Sequence, residues 1–259
     1  MGDWSFEPTV IAGIGILLIA YVAGVILPRR ASVWKMVSFV AGMAVLFLAL
    51  QSPLDRLGDE YLLSLHMTQH LLLVLVVPPL LLYGTPDWVV RPLVGLPVVS
   101  DLARFLVRGP IAFAVYNVVF ALAHLPNFFD LTLQNQDVHI VEHLLFIATG
   151  ILAWWPVLSP LRELPSLSYP FQMLYLFLQT LPCSLVGALI TLSGDVLYTP
   201  YAAAPRIWHS TVMGDQQIAG LIMWIGGSLY YFLGFMVVFF VWAYHEEPDR
   251  PRLYIVKGT

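Results

Sequence analysis

The residues most able to do chemistry in this chain are its histidines. Two pairs, His66 with His70 and His139 with His143, have a spacing of four residues. On an α-helix this spacing places both imidazoles on one face, with Cβ atoms about 5–6 Å apart. Such a pair is a typical layout for metal ligands, because neutral imidazole nitrogens bind transition metals. The sequence therefore predicts a metal site built from two helices.

A fifth histidine, His124, ends a hydrophobic segment at a depth similar to that of the two pairs. Glu142 and Asp215 are predicted to reach the same level, and Gln216 follows at the start of the last segment. Ionisable groups within a membrane span are costly and normally face the bundle interior with a partner. We expect the five histidines to be ligands, with the carboxylates and the glutamine in support. His209 lies in a loop, where an interfacial anchor is the simpler interpretation.

The chemistry of these side chains narrows the choice of metal. Imidazole-rich sites suit copper, zinc, iron or nickel, whereas calcium and magnesium prefer clusters of oxygen ligands. Met67 and Met223 lie near the predicted histidine layer and offer thioether ligands for Cu(I). Methionine is also a common filler of apolar cores, so packing explains each of them more readily. From the residues alone, copper is only slightly favoured over zinc.

Two other interpretations fit the histidine pattern. The stretch from His139 to His143 matches H-x-x-E-H, the inverted zinc-peptidase motif, in which Glu142 would activate water. An intramembrane zinc metalloprotease of this kind would leave the pair of His66 and His70 unexplained. Paired histidines on different helices also hold haem in membrane cytochromes. A haem near one face of the membrane is therefore a further alternative.

The composition places these residues in a membrane. Of the 259 residues, 59% are hydrophobic and only 11% are charged. A soluble domain typically carries about 25% charged residues. The one cysteine, Cys183, lies in an apolar run, which excludes a disulfide framework and a C-x-x-C motif. We expect an integral membrane protein surrounded by the lipid bilayer, with no nucleic-acid partner.

Hydrophobic segments close to the length of about 20 residues that crosses a bilayer recur along the chain. Short connections marked by proline and glycine separate them, so we expect a single transmembrane helical domain over residues 1–259. The predicted fold class is an all-α integral membrane protein, a bundle of about seven transmembrane helices. The predicted spans are Phe6–Leu27, Val33–Leu50, Leu63–Tyr83, Gly109–Leu125, Val138–Leu158, Phe171–Leu192 and Gln216–Tyr244.

The distribution of lysine and arginine predicts the orientation of the bundle. Of the 12 basic residues, Arg56 and Arg206 lie on the histidine side of the predicted spans and the others lie on the opposite side. Under the positive-inside rule the side rich in basic residues is cytoplasmic. We therefore expect the N-terminus outside, the C-terminus in the cytoplasm and the metal site on the extracytoplasmic side of the plasma membrane. The predicted cytoplasmic residues are Arg29, Arg30, Lys35, Arg91, Arg104, Arg108, Arg162, Arg250, Arg252 and Lys257.

Several sequence blocks between residues 66 and 224 occur in a recognisable order. Together they resemble the multi-pass CtaG family of cytochrome c oxidase assembly factors. The agreement of several blocks makes the resemblance specific, although H-x-x-x-H alone is a weak pattern. The blocks are His66-Met67-Thr68-Gln69-His70, Pro78-Pro79, Gly84-Thr85-Pro86, His124-Leu125-Pro126, His139-x-x-Glu142-His143, Trp154-Trp155-Pro156 and Asp215-Gln216-Gln217-x-Ala219-Gly220-x-x-Met223-Trp224.

The resemblance implies a role in the maturation of a haem-copper oxidase, with copper supplied on the outer side of the membrane. It implies a metallochaperone or assembly factor rather than an enzyme, and cytochrome c oxidase subunits as partners. A homo-oligomer is compatible with this role, and a metal-free assembly scaffold is an alternative to it. The implied metal residues are His66, His70, His124, His139 and His143, supported by Glu142, Asp215 and Gln216.

Overall fold

The computed structural model describes residue 4 and residues 6–28, 30–208 and 210–246. Within this part of the chain the protein is all-helical, with no strand. Arg29, His209 and the basic residues of the C-terminal tail, Arg250, Arg252 and Lys257, lie outside it. The α-helices are α1 Pro8–Tyr21, α2 Val33–Gln51, α3 Pro53–Glu60, α4 Leu63–Leu71, α5 Val77–Gly84, α6 Asp87–Val94, α7 Pro97–Leu106, α8 Gly109–Ala123, α9 Pro126–Gln134, α10 Gln136–Leu158, α11 Tyr169–Leu192, α12 Thr199–Ala203, α13 Val212–Leu221 and α14 Ser228–Glu246. The π-helical segments Val22–Ile26, Leu72–Val76 and Ile222–Gly227 follow α1, α4 and α13.

Six helical stretches of the described chain are long and apolar enough to cross a membrane. A seventh candidate combines α7 with α8, two helices that meet at an angle of 82°. The predicted multi-pass helical architecture is thereby confirmed, with six spans by length and up to seven if the bent pair is one. The six stretches are Pro8–Ile26, Val33–Gln51, Leu63–Gly84, Gln136–Leu158, Tyr169–Leu192 and Val212–Glu246.

The surface and the interior of the bundle differ in the way that a bilayer requires. Large apolar side chains such as Ile16, Leu189 and Phe240 are exposed on the helix surfaces. Helices suit this environment because they satisfy their backbone hydrogen bonds internally. Polar side chains, including most of the histidines, are instead buried between the helices. The side chains able to bind a metal or a ligand are therefore concentrated in the interior.

Five histidines lie at the end of the bundle where α1 begins: His66, His70, His124, His139 and His143. The backbone N–H of Glu7 donates to Oε1 of Gln51, 2.9 Å away, so α1 starts beside the end of α2. The amide of Gln69 donates to the carbonyl of Ala49 at 3.0 Å and ties α4 to the same end. The short helix α3 lies between them and packs on α4. We call this end of the molecule the histidine end.

A proline in the α4–α5 span and a glycine in α10 lie where the two histidine-bearing helices come together. Pro78 has no N–H, so the Val74 carbonyl lacks its usual helical donor, and the π-helical segment lies directly before this point. Gly150 of α10 packs here: a Cβ at this position would lie 2.8 Å from Cγ of Pro78 and 3.2 Å from the Val74 oxygen. The missing side chain thus permits the close approach of α10 to the α4–α5 span.

Candidate metal centre

Five side chains from two helices converge at the histidine end. One ligand atom from each of them lies within 4.8 Å of every other. All five residues are buried, the most accessible being 8% exposed. Both predicted pairs are therefore brought into one site, which we call the ligand group. Its members are His66 and His70 of α4 and His139, Glu142 and His143 of α10.

The ring positions follow from helix periodicity and from the helix crossing. The ring centroids of His66 and His70 are 4.2 Å apart, and those of His139 and His143 are also 4.2 Å apart. These are the short distances that a four-residue spacing produces on a helix. Between the helices, the His66 and His139 rings lie 5.4 Å apart. The close approach at Gly150, two turns further along α10, places the pairs opposite each other.

Many polar atoms of the ligand group have no hydrogen-bond partner. Leaving a buried donor or acceptor unpaired costs about 1–3 kcal/mol, so a cluster of such atoms indicates a bound partner. The Thr132 side chain lies close enough to interact with the Glu142 carboxyl, but neither Glu142 oxygen makes a well-formed hydrogen bond. The donor set of imidazole nitrogens and a carboxylate fits a transition metal. The unpaired atoms are Nε2 of His66, His70, His139 and His143, Nδ1 of His66 and His70, and both carboxylate oxygens of Glu142.

Asp59 is a residue of this site that the sequence analysis missed. It lies on α3, and its carboxylate oxygens are 3.0 Å from Nδ1 of His66 and 3.6 Å from Nδ1 of His139. The contact with His66 has the length of a hydrogen bond but not its alignment. Oδ1 is buried although 27% of the side chain is exposed, and burial raises the pKa of Asp59 to about 6. A carboxylate at Nδ1 leaves Nε2 of each ring available for a metal.

His124 lies beside the ligand group but is not part of it. It follows α8, and its Nδ1 is 2.6 Å from the carbonyl oxygen of Phe120. Its ring centroid is 5.7 Å from that of His70, and its Nε2 has no hydrogen-bond partner. The structure therefore places this predicted ligand next to the site, with one nitrogen engaged by the backbone.

Aromatic side chains cover the ligand group at the histidine end. The Phe129 ring, on α9, lies 5.0 Å from the His66 ring and 4.4 Å from the Tyr198 ring. The Tyr201 hydroxyl donates to the carbonyl of Gly58 at 2.7 Å, which joins α12 to α3. The connection between the spans predicted to end at Leu125 and begin at Val138 contains the helix α9. Together these residues limit the access of water, which strengthens electrostatic interactions inside the site.

Comparison with known proteins assigns the chain to a family. Residues 19–245 match the family described as cytochrome c oxidase caa3 assembly factor. The chain belongs to this family. The resemblance drawn from the sequence blocks is thereby confirmed.

The chain also has curated relatives among the mycobacteria. It is 26% identical over 243 residues to uncharacterised proteins of Mycobacterium bovis and Mycobacterium tuberculosis, covering 85% of this chain. It is 24% identical over 271 residues to an uncharacterised protein of Mycobacterium leprae, covering 94% of this chain. The chain spans only 36% of the length of the first two relatives and 40% of the third. No solved structure gives a significant match.

Asp215 and Gln216 of the last candidate span support the site from a distance. Asp215 accepts hydrogen bonds from the backbone N–H groups of Leu63, at 2.7 Å, and Ser64, at 3.3 Å. These are orphan donors at the start of α4, so the carboxylate caps the helix that carries one histidine pair. Gln216 accepts from the Leu197 N–H at 2.8 Å and fixes the loop before α12. Both residues lie outside the ligand group and act on the elements that position it.

The two methionines predicted near the metal layer lie in the apolar core of the bundle. Met67 is fully buried and Met223 is 1% exposed, and both belong to the main hydrophobic cluster. This placement agrees with the packing interpretation. His209, which the sequence predicts to lie in a loop, is outside the described residues.

Proposed function

We propose that this protein binds copper in the ligand group and delivers it to cytochrome c oxidase during assembly of that enzyme. The observation that carries the proposal is the convergence of four imidazoles and one carboxylate, with ligand atoms within 4.8 Å of one another. Membership of the caa3 assembly factor family supports the link to the oxidase. Copper is cargo in this account, and no catalytic step is required of the protein.

The donor set supports copper over the harder metals. Calcium and magnesium favour six or more oxygen ligands, and the ligand group offers a single carboxylate. Neutral imidazoles suit copper and zinc about equally well. The choice of copper over zinc comes from the family, since the assembled enzyme is a haem-copper oxidase. Asp59 would orient the rings of His66 and His139 so that their Nε2 atoms face the metal.

Charge supports an extracytoplasmic position for the site. At the histidine end the described chain carries only Arg56 and Arg206 as basic residues. The positive-inside rule assigns the opposite, more basic end to the cytoplasm. Copper would then be received and released on the outer side of the plasma membrane, by exchange of one ligand for another. The described basic residues at the opposite end are Arg30, Lys35, Arg91, Arg104, Arg108 and Arg162.

The experiment that tests delivery compares the copper content of the oxidase in cells that carry His70→Ala or His245→Ala. His245 is exposed at the far end of α14, where its ring lies 6.0 Å from that of Tyr169, and it serves as the matched histidine control. We expect His70→Ala to lower oxidase copper per haem and added copper to restore part of it by mass action. His245→Ala should match the wild type. Equal copper-to-haem ratios in all strains would reject delivery and favour a metal-free scaffold.

The same purified variants separate copper delivery from the protease and haem alternatives. A protease acting through His139, Glu142 and His143 would keep its metal in Glu142→Gln while losing cleavage of a substrate. Under copper delivery, the copper content of the oxidase follows the metal content of each variant. A haem protein would show a Soret band after purification, and copper delivery predicts none.

A further inference from the structure

We propose that the histidine end holds two cuprous ions, one in the ligand group and a second bound by His124 together with His70. This inference rests on the proposed function and adds the number of copper ions carried and a further donor residue. A single ion binds in the ligand group with His70 as one of the donors. When a second ion enters, His70 turns towards His124 and the other members of the ligand group keep the first ion.

His124 is arranged like a metal ligand although it lies outside the ligand group. Its Nδ1 is 2.6 Å from the carbonyl oxygen of Phe120. Because a carbonyl oxygen only accepts, Nδ1 carries the hydrogen and the lone pair of the neutral ring is on Nε2. Nε2 is buried without a hydrogen-bond partner, in a residue that is 5% exposed. Metal-bound histidines commonly donate their other ring N–H to a backbone carbonyl in this way.

His70 is the partner that the structure offers to His124. The centroid of its ring lies 5.7 Å from that of His124 and 5.7 Å from that of His143. The two neighbours are equally close, although only His143 belongs to the ligand group. Neither ring nitrogen of His70 has a hydrogen-bond partner, so no hydrogen bond fixes its tautomer or holds the ring towards one neighbour. His70 can therefore serve either position.

The donors at the histidine end exceed the number that one ion can use. A neutral imidazole offers one lone pair, so the four rings and the carboxylate of the ligand group supply five donors. Nε2 of His124 is a sixth. A copper ion in an imidazole site takes about four ligands. Three rings and Glu142 are thus sufficient for one ion, and His70 and His124 remain for a second. Each ring stays neutral and keeps its N–H, so no proton is gained or lost.

The second position fits Cu(I) in particular. Two imidazoles form a sufficient set for Cu(I), whose filled d shell imposes no geometry, whereas Cu(II) and zinc normally take four ligands. The ring of His124 lies 4.5 Å from that of Phe120 and 6.1 Å from that of Phe146, and apolar surroundings favour an ion of low charge. Glu142 and Asp59 are the carboxylates that contact the histidines. Together they match the charge of two cuprous ions, so neither ion is buried without compensation.

The first test counts cuprous ions. Substituting alanine for His209 and His245 leaves only the five histidines of the histidine end, since the chain has seven. This protein, purified in detergent and kept reduced with ascorbate, is titrated with Cu(I) in competition with the chelator bicinchoninate. We expect two ions per chain, the second bound more weakly, and a fall in the mean number of copper ligands in X-ray absorption when the second ion is added. One ion per chain would overturn the inference and leave the proposed function intact, and no bound ion would contradict both.

The second test assigns the second ion to His124 in the same titration. We expect His124→Ala to bind the first ion as before and to lose more than about 100-fold in affinity for the second, because even residues that only support a metal ligand have effects of about 10–100-fold. His124→Met should recover the second ion, since a thioether suits Cu(I). Asn117→Leu, which replaces a buried polar residue of the same helix α8, is the control and should keep both ions.

Two results of this second test would overturn the inference. One is a His124→Ala protein that binds both ions with wild-type affinities. The other is loss of the second ion from Asn117→Leu as well, since the effect would then come from a disturbed helix and not from the missing donor. Two ions bound by the wild type, together with an oxidase copper content that is unchanged in His70→Ala cells, would contradict only the proposed function.

Discussion

The bundle contains two buried polar clusters that use their hydrogen-bonding atoms in opposite ways. In the middle of the bundle, Asn117 donates to Gln179 at 2.8 Å, Gln179 donates to Tyr175 at 2.9 Å, and Tyr175 donates to the carbonyl of Ala153 at 2.8 Å. This series of hydrogen bonds joins α8, α11 and α10, and each of its side chains has a hydrogen-bond partner. The ligand group is buried to a similar degree, yet most of its nitrogens and oxygens have no partner. Burial of polar groups is thus common to both clusters, and the unpaired atoms mark the one suited to a ligand.

We expect a substitution in the ligand group to affect mainly copper affinity, and a substitution in the other cluster to affect mainly stability. His70→Ala should lower the copper affinity of the purified protein by more than about 10–100-fold, because even residues that only support a metal ligand have effects of that size. Its thermal stability without metal should fall only by the cost of the cavity that the buried ring leaves, since the ring has no hydrogen bond to lose. Copper titration and thermal unfolding of the same samples measure both quantities.

Gln179→Leu is the matching substitution in the hydrogen-bonded cluster of Asn117, Gln179 and Tyr175. It removes the hydrogen bond that Asn117 donates and the one that Tyr175 accepts, and should reduce the free energy of unfolding by about 1–3 kcal/mol. Its copper affinity should remain that of the wild type. If both variants lost copper to the same extent, the unpaired atoms would not distinguish the metal-binding cluster from the hydrogen-bonded one.

Gly150→Ala tests whether the helix crossing holds the ligand group together. The added Cβ overlaps Pro78, so α10 must move away from the α4–α5 span. We expect a loss of about 1–3 kcal/mol in the free energy of unfolding, together with weaker copper binding. Gly13→Ala is the control, because a Cβ there meets no atom within 4 Å. Equal behaviour of the two alanine variants would show that the close approach is not required.

Asp59→Asn tests the positioning of the rings. Loss of the carboxylate at Nδ1 of His66 and His139 should weaken copper binding by about tenfold, the lower part of the range for residues that orient metal ligands. Glu60→Gln is the neighbouring control, since Glu60 is exposed and pairs with Arg56 at 3.1 Å. The copper affinities of the two variants are compared at one pH. Similar affinities would leave Asp59 without a positioning role.

Asp215→Ala has the smallest expected effect. Removal of the carboxylate that caps α4 should cost about 1 kcal/mol of stability, with a modest change in copper affinity. Thermal unfolding and copper titration again give both values. A loss of copper as large as that of His70→Ala would mean that Asp215 acts on the metal directly.

Much of this arrangement can be predicted from residue spacing. The period of 3.6 residues per turn places His66 beside His70 and His139 beside His143 without knowledge of the fold. Hydrophobic length predicts the spans, and each of the six long stretches lies within a few residues of its predicted counterpart. These features depend on local sequence only.

The parts that were not predicted depend on contacts between distant segments. Asp59 lies on a short extramembrane helix, and no spacing rule connects it with His66 and His139. The capping of α4 by Asp215 joins residues that are more than 150 positions apart. His124 has the same residue type and depth as the ligands, but its backbone contact at Phe120 appears only in three dimensions.

The proposed function requires that the ligand group binds copper through imidazoles of both helices. X-ray absorption at the copper edge of the purified protein, together with its copper content, measures this. We predict bound copper with a first shell dominated by imidazole nitrogen, and loss of that copper when His66→Ala and His143→Ala are combined. A protein that retains no copper, or a double variant that keeps the wild-type copper content and spectrum, would contradict it.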